Sequence, residues 1–416
     1  MVESASPSTS RRRRPGRHTA GQWAILVVNL GIVVACLLAA GALVYGKRQL
    51  DNTLAAPAID VVTTTRPNVT ITTPGTDVPG SSTSTPDTFP PADPGAKNFL
   101  ITGSDANACV DPGSPWAGAA DPSRDSIGNR SDSIMVIRLD TTSRRAAVLS
   151  FPRDLWVKIP DRAKNRINTA FEPGDSRLLA QTIYDNFGVV IDHYLQVDFC
   201  AFKLIVDAVG GVAVPFANRI IDKTVNIDVP AGCHTFNGDE ALAYVRSRHL
   251  KWVDAEGTVR SDGASDLGRI SRQQDFLRRT LQTALDRGLF DTSVARALIE
   301  SLQKYVVRDA NLLSLDSILR FAGVLRNIEP SSINTYQVDG TPTSIGGRSV
   351  LVPALDTPNM SAILDIFRGV TSLVPPPPSS TPVSADTTLA PGATTTIVGP
   401  EENVKGEIVP DENVTC

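Results

Sequence analysis

Ile134-Met-Val-Ile-Arg-Leu139 and Ala146-Ala-Val-Leu-Ser-Phe151, joined by Asp140-Thr-Thr-Ser143, decide the fold. Each is a short apolar run without strict alternation, the pattern of a strand buried on both faces. Upstream, Phe99-Leu-Ile-Thr102 is another such run. Downstream, Ser176 to Phe187 has helical periodicity and stops at Gly188. His193 to Val197 reads as a strand, and Phe199 to Val209 as a helix closed by Gly210-Gly211. Asn237-Gly-Asp-Glu240 has the form of a capping box and opens a helix expected to run through Arg248. Leu267 to Arg287 is the longest helical stretch. Strands alternating with helices predict an α/β domain over 97–372, a three-layer α-β-α sandwich around a mixed central sheet.

The flanks have a different character. Trp23 to Gly46 is uncharged and apolar, long enough to cross a bilayer as one helix, and it follows Arg11 to Arg14 and Arg17. The expectation is a cytoplasmic basic tail over 1–22 and an uncleaved transmembrane anchor over 23–46. A cleaved signal peptide is the competing reading, with Ala39-Ala40-Gly41 as its small residues. Residues 47–96 are rich in Thr, Pro, Ser and Asp and read as a disordered spacer. A flexible coil of this length spans on the order of 35–40 Å. A second low-complexity stretch, rich in Pro and Thr, covers 373–416.

A net charge of -4 gives no reason to expect nucleic acid as a partner. There is no GxSxG, HExxH or GxGxxG, and the phosphate-loop spacing of Gly41 to Lys47 falls in the anchor with Arg48 in place of Ser or Thr. Four histidines without metal-ligand spacing make zinc chemistry a poor fit. Cys36 lies in the anchor. The other four cysteines would face an oxidising compartment, where three pairings are open. Cys200 with Cys233, leaving Cys109 with Cys416, is the expected one.

Arg and Asp stand instead at the ends of expected strands. Asp105 follows the first core strand, Arg130-Ser-Asp132 leads into the second, and Arg153-Asp154 follows the third. Carboxylates without a nearby histidine or thiolate suit a hard cation such as Mg²⁺, and arginine forks match phosphate. Asp266 precedes the long helix as a candidate cap, with Arg269, Arg272 and Gln273 on one face of its first turns. Two arginines at a helix N-terminus call for an anion. Arg246 and Arg248 share a site only if their helix breaks between them or just after. Lys164-Asn-Arg166-Ile-Asn reads as a solvated loop.

Together these strings resemble the LytR-CpsA-Psr family of bacterial cell-wall enzymes. They include Phe-Leu-Ile-Thr-Gly-Ser-Asp105, Arg130-Ser-Asp-Ser-Ile-Met-Val, Ser150-Phe-Pro-Arg-Asp-Leu-Trp and Lys164-Asn-Arg-Ile-Asn-Thr-Ala-Phe. Asp192-His-Tyr-Leu-Gln-Val-Asp-Phe, Asn237-Gly-Asp-Glu-Ala-Leu-Ala-Tyr-Val-Arg-Ser-Arg and Asp266-Leu-Gly-Arg-Ile-Ser-Arg-Gln-Gln complete the series. The resemblance implies transfer of a glycopolymer from a polyprenyl-pyrophosphate carrier to a muramic acid hydroxyl of peptidoglycan, with release of polyprenyl phosphate. It implies Asp105 and Asp132 as ligands for Mg²⁺ (or Mn²⁺). Arg153, Arg246, Arg248, Arg269 and Arg272 with Gln273 would bind the pyrophosphate. Arg130 is added to that set, and Arg153, Asp154, Asp266 and Arg269 are the catalytic candidates. The catalytic domain would be extracytoplasmic, on a single-pass membrane protein. A polyprenyl-pyrophosphate hydrolase, or a non-catalytic binder or attenuator of lipid-linked glycan, uses the same residues and stays open. The long insertion between Asp105 and Arg130, with Cys109 and Trp116, departs from the family pattern.

Overall fold

Seven strands form one mixed sheet: β1 (Ala58–Ile59), β2 (Lys97–Ser104), β3 (Ser131–Asp140), β4 (Arg145–Ser150), β5 (His193–Asp198), β6 (Val306–Asp309) and β7 (Asn334–Gln337). Their order across the sheet is β1-β6-β5-β2-β3-β4-β7. The computed structural model describes residues 58–59, 95–104, 109, 111–119, 131–140, 143–264, 266–286, 305–312, 328, 332–373, 399–403 and 416. All of these fall within one compact unit, Leu54–Cys416. The basic tail and the expected anchor over 23–46 lie outside the described residues, as do Asp105 and Arg130. Among the described residues no helix is long and apolar enough to cross a membrane.

The opening hairpin is β3 and β4, antiparallel from Met135↔Ser150 to Asp140↔Arg145. Its turn is closed by the Asp140 carboxylate, which accepts from the Ser143 amide at 3.2 Å, while Arg144 takes φ 56°. A strand's side chains alternate between faces, and β3 shows why its run is apolar but for Arg138, which donates to Asn98 Oδ1 at 3.1 Å. Ile134 and Val136 enter one core cluster, and Met135, Ile137 and Leu139 enter another on the opposite face. The first cluster is covered by α1 (Arg177–Phe187), through Leu179, Ile183 and Phe187, and by α5 (Pro358–Arg368), through Met360, Ile363 and Phe367. The second is covered in part by Leu277 and Leu281 of α4 (Asp266–Asp286). Helices on both faces of a mixed sheet make the expected α/β sandwich.

Caps set the helix ends. Gly188 closes α1 in the left-handed region, and its amide donates to Tyr184 O at 2.8 Å. α2 (Phe199–Ala208) starts with the Asp198 carboxylate accepting from Ala201 N, and α3 (Gly238–Arg246) with Asn237 Oδ1 accepting from Glu240 N. The reciprocal half of the expected capping box is replaced by a Glu240 to His234 contact at 2.9 Å. α3 stops at Arg246 rather than Arg248, because Ser247 turns to extended backbone at ψ 132°.

The disulfides correct the expected pairing. They join Cys109 to Cys200 and Cys233 to Cys416, each with Cα atoms 5.3 Å apart. β2 and β5 run parallel with Ser104 opposite Asp198, so the chain just past each end meets there. That brings Cys109 to the first turn of α2. Cys233 is exposed on a separate hairpin, Val212–Phe216 with Gly232–Phe236, away from the buried Cys200. Within the stretch read as spacer, Ala58–Ile59 pairs with Arg308–Asp309 at one sheet edge. Within the stretch read as tail, Asn403 and Glu402 dock on the other. Asn403 Oδ1 accepts from Gln337 N at 3.0 Å, and Glu402 Oε1 accepts from Thr335 N at 2.6 Å. They occupy edge groups of β7 that a further strand would otherwise take.

Candidate active site

The registers bring one set of strand ends together. β2 and β4 both run antiparallel to β3, so Ser104, Ser131 and Ser150 all lie at the same end of the sheet. Asp132, second residue of β3, and Arg153, three residues past β4, therefore face each other. α4 is held across this end by two adjacent glutamines. Gln274 Nε2 donates to Ser150 Oγ at 2.8 Å and to Tyr336 O at 2.6 Å. Gln273 Nε2 donates to Val245 O at 3.1 Å and its Oε1 accepts from Ser133 Oγ at 3.1 Å.

Three arginines from three segments then converge on Asp132. Arg153 Nη1 donates to Oδ1 at 2.9 Å and Arg248 Nη2 to Oδ2 at 2.6 Å. Arg269 Nη2 donates to the backbone oxygen of Asp132 at 3.0 Å. Asp266 is the first residue of α4, not its cap, and its carboxylate lies 3.1 Å from Arg269, 3.5 Å from Arg153 and 3.6 Å from Arg248. Among the described residues three guanidiniums face two carboxylates here, a surplus of one positive charge. The Nε groups of Arg153 and Arg269 are enclosed without a hydrogen-bond acceptor in good geometry. Enclosed donors and surplus positive charge at a helix N-terminus make an anion site.

Exposure divides the labour. The Arg153 and Arg248 side chains are 22% and 28% exposed, whereas Arg269 is 2% exposed and supports the site from beneath. Burial alone would raise the Asp132 pKa, but Arg269, Arg248 and Arg153 hold its carboxyl far below the usual carboxylate range. Burial also works against both exposed guanidiniums. For Arg153 the facing Asp266 and Asp132 overcome it and raise the pKa. For Arg248 burial prevails, with Arg269 and Arg153 adding to it, and the pKa falls. An added anion relieves this repulsion.

The remaining expected residues are placed elsewhere. Arg272 is buried in a pair with Asp262 at 3.0 Å and donates to Ser247 O at 2.5 Å. It fixes the break that separates Arg246 from Arg248. Gly268 allows this, since a Cβ there would meet Asp262 Oδ2 at 2.2 Å. Arg246 turns away, donating to Ala119 O of the insertion with its guanidinium 4.2 Å above the Phe199 ring. Asp154 lies beside the cluster, 3.5 Å from Arg153 and 3.2 Å from Arg166. Sequence reasoning missed Arg166, which also donates to Ser349 O at 2.8 Å. Its only signal was its place in a motif string. Asp262, in an ordinary turn sequence, gave none.

Asp132 is the single expected metal ligand among the described residues, and both its oxygens are held by guanidiniums. No group of three or more His, Cys, Asp or Glu is placed to share a cation among the described residues. Asp105, the second expected ligand, lies outside the described residues.

Residues 70–366 match the LytR_cpsA_psr family model. The chain belongs to the LytR-CpsA-Psr family. It is 33% identical over 198 residues to a probable cell wall biosynthesis protein, LcpB, of Corynebacterium glutamicum, covering 46% of this chain and 42% of that one. It is 28% identical over 285 residues to the cell wall biosynthesis protein LcpA of the same organism, covering 59% and 51%. The match thus spans about half or less of these relatives' length. In fold it resembles a LytR-Csp2A-Psr enzyme from Actinomyces oris, at TM-score 0.50 and 18% identity over 65% of this chain and 89% of that one. A Streptococcus agalactiae protein gives TM-score 0.51 at 19% identity over 66% and 87%.

Proposed function

We propose that the chain is a phosphotransferase that moves a glycopolymer from a polyprenyl-pyrophosphate carrier onto a muramic acid hydroxyl of peptidoglycan. The observation that carries this reading is the convergence of Arg153, Arg248 and Arg269 on Asp132, with net positive charge among the described residues. Phosphoryl transfer needs positioning and charge neutralisation more than covalent catalysis by the protein. The acceptor hydroxyl oxygen attacks the phosphorus that bears the glycan. A new P–O bond forms, the bridging P–O bond breaks, and polyprenyl phosphate leaves with the bond's electron pair. Arg153 and Arg248 hold the oxygens where charge grows, and Arg269 steadies them through Asp132. The hydroxyl proton passes to Asp266, the carboxylate that stands among Arg153, Arg248 and Arg269. Asp154, ion-paired with Arg153 and Arg166 to one side of the cluster, orients Arg153.

The address is part of the same reading: a single-pass anchor over 23–46, with the catalytic domain outside the cytoplasm. Two disulfides support an oxidising compartment. The test is transfer of a radiolabelled glycan from a lipid pyrophosphate to peptidoglycan oligomers. Glycan phosphate released into solution together with polyprenyl phosphate, with no label on peptidoglycan, would replace this reading with hydrolysis. The expected Mg²⁺ requirement is tested separately, by turnover with EDTA and after Mg²⁺ is restored.

A further inference from the structure

The insertion after Asp105 builds a second cleft, distinct from the arginine cluster, with a volume of about 350 Å³. One wall is a stripe of α2, Cys200, Lys203, Leu204 and Asp207, at the i, i+3, i+4, i+7 spacing of a single helix face. Cys109 of the insertion also lines it, fixed to that helix by its disulfide and by Lys203 Nζ, which donates to Cys109 O at 3.0 Å. Lys203 also pairs with Asp239, which accepts from Ser114 Oγ of the insertion at 3.4 Å. Trp116 and Ala119 pack the same insertion into the satellite core beneath α2 and α3. The strap is therefore held by covalent, ionic and apolar contacts.

Along this stripe Cys200 is buried and Asp207 is exposed. Seven residues of helix make this span about 10 Å, the reach of a disaccharide. Cys200 follows Phe199, on whose ring Arg246 rests, and Arg246 stands two residues along the chain from Arg248 of the phosphate cluster. The lining offers hydrogen bonds and apolar surface together. Asn237 caps α3 with its Oδ1 and keeps an amide nitrogen, and Asp207 accepts from Gly238 N with one oxygen and keeps the other. Leu204, 42% exposed, and the Tyr305 ring supply apolar surface. Two carboxylates against one ammonium disfavour anionic sugars.

We propose that this cleft is a glycan-binding subsite that holds neutral or N-acetylated sugar residues adjoining the phosphate centre. The proposal rests on the transferase reading above. Either substrate, donor or acceptor, brings such a glycan, and glycan length distinguishes them. Two variants of the full chain test it. Leu204→Trp fills the cleft from the surface. Asn237→Asp keeps the helix cap, since Asp caps as well as Asn, but removes the amide donor. The expected result is a KM raised about tenfold, equivalent to about 1.4 kcal/mol, for the longer members of one substrate series. Both kcat and turnover of the shortest member stay unchanged. A shift in the donor series assigns the subsite to the transferred glycan, and a shift in the acceptor series to peptidoglycan. Unchanged KM in both series overturns the proposal. A calorimetric titration with a lipid-free N-acetylated disaccharide separates the two claims. Binding that Asn237→Asp weakens, in a protein that transfers nothing, keeps the subsite and sinks the transferase. Absence of binding together with unaltered KM sinks the subsite alone.

Discussion

Arg269 and Arg272 lie one helical turn apart on α4, yet they serve two different regions. Arg269 joins a cluster with surplus positive charge that opens to solvent through Arg153 and Arg248. Arg272 joins a closed pair with Asp262, in which both side chains are 2–3% exposed. The first region has unmet demand for an anion. In the second, the charges are matched and Arg272 also ties down Ser247. Burial of an arginine therefore says little about catalysis. What decides is whether its neighbours already neutralise it.

The largest expected effect breaks this comparison directly. Arg153→Ala should lower kcat for transfer by roughly 100–1000-fold, the usual loss when one donor to a developing oxyanion is removed, with melting temperature little changed. Arg272→Met should do the reverse in kind. It strands a buried Asp262 carboxylate, for about 3–5 kcal/mol of stability, which chemical denaturation will measure. Gly268→Ala should reproduce part of that loss by displacing Asp262. A stable but inactive Arg272→Met protein would place Arg272 in the chemistry instead.

The proton route is a finer test. Asp266→Asn should reduce kcat more than Asp154→Asn, with KM for the donor little changed in the former. Equal effects would leave neither as the base. Asp132 makes a pH prediction for folding. Its folded pKa is depressed, so the stability it contributes is present above the ordinary carboxylate range. That contribution is lost only as pH falls through the depressed folded value. Asp132→Asn should accordingly lower stability at neutral pH and narrow the difference from wild type in strong acid. The smallest effect is expected at the tail, where Asn403→Ala removes contacts with the β7 edge worth about 1 kcal/mol.

The sequence made the sheet legible because burial on both faces leaves continuous apolar runs, as in Ile134 to Leu139. Helix ends were legible where a cap or glycine marked them, at Gly188 and Asn237. The end of α3 was not, because Ser247 is turned by Arg272 from another helix, a contact no local pattern records. The charged residues were found by position but not sorted. Arg246 and Arg248 look equivalent in sequence, yet one holds the insertion and the other holds Asp132. The disulfides were misread because pairing depends on which strand ends meet. The parallel register of β2 and β5 that unites Cys109 with Cys200 is a long-range property.

The most direct test is a transfer assay on the purified full chain, with a polyprenyl-pyrophosphate-linked glycan and peptidoglycan oligomers, read by mass spectrometry. The account predicts a phosphodiester-linked glycan on the acceptor and one polyprenyl phosphate per transfer, both absent with Arg153→Ala. Product formed equally by wild type and Arg153→Ala, or lipid consumed with no glycan joined to peptidoglycan, would contradict it.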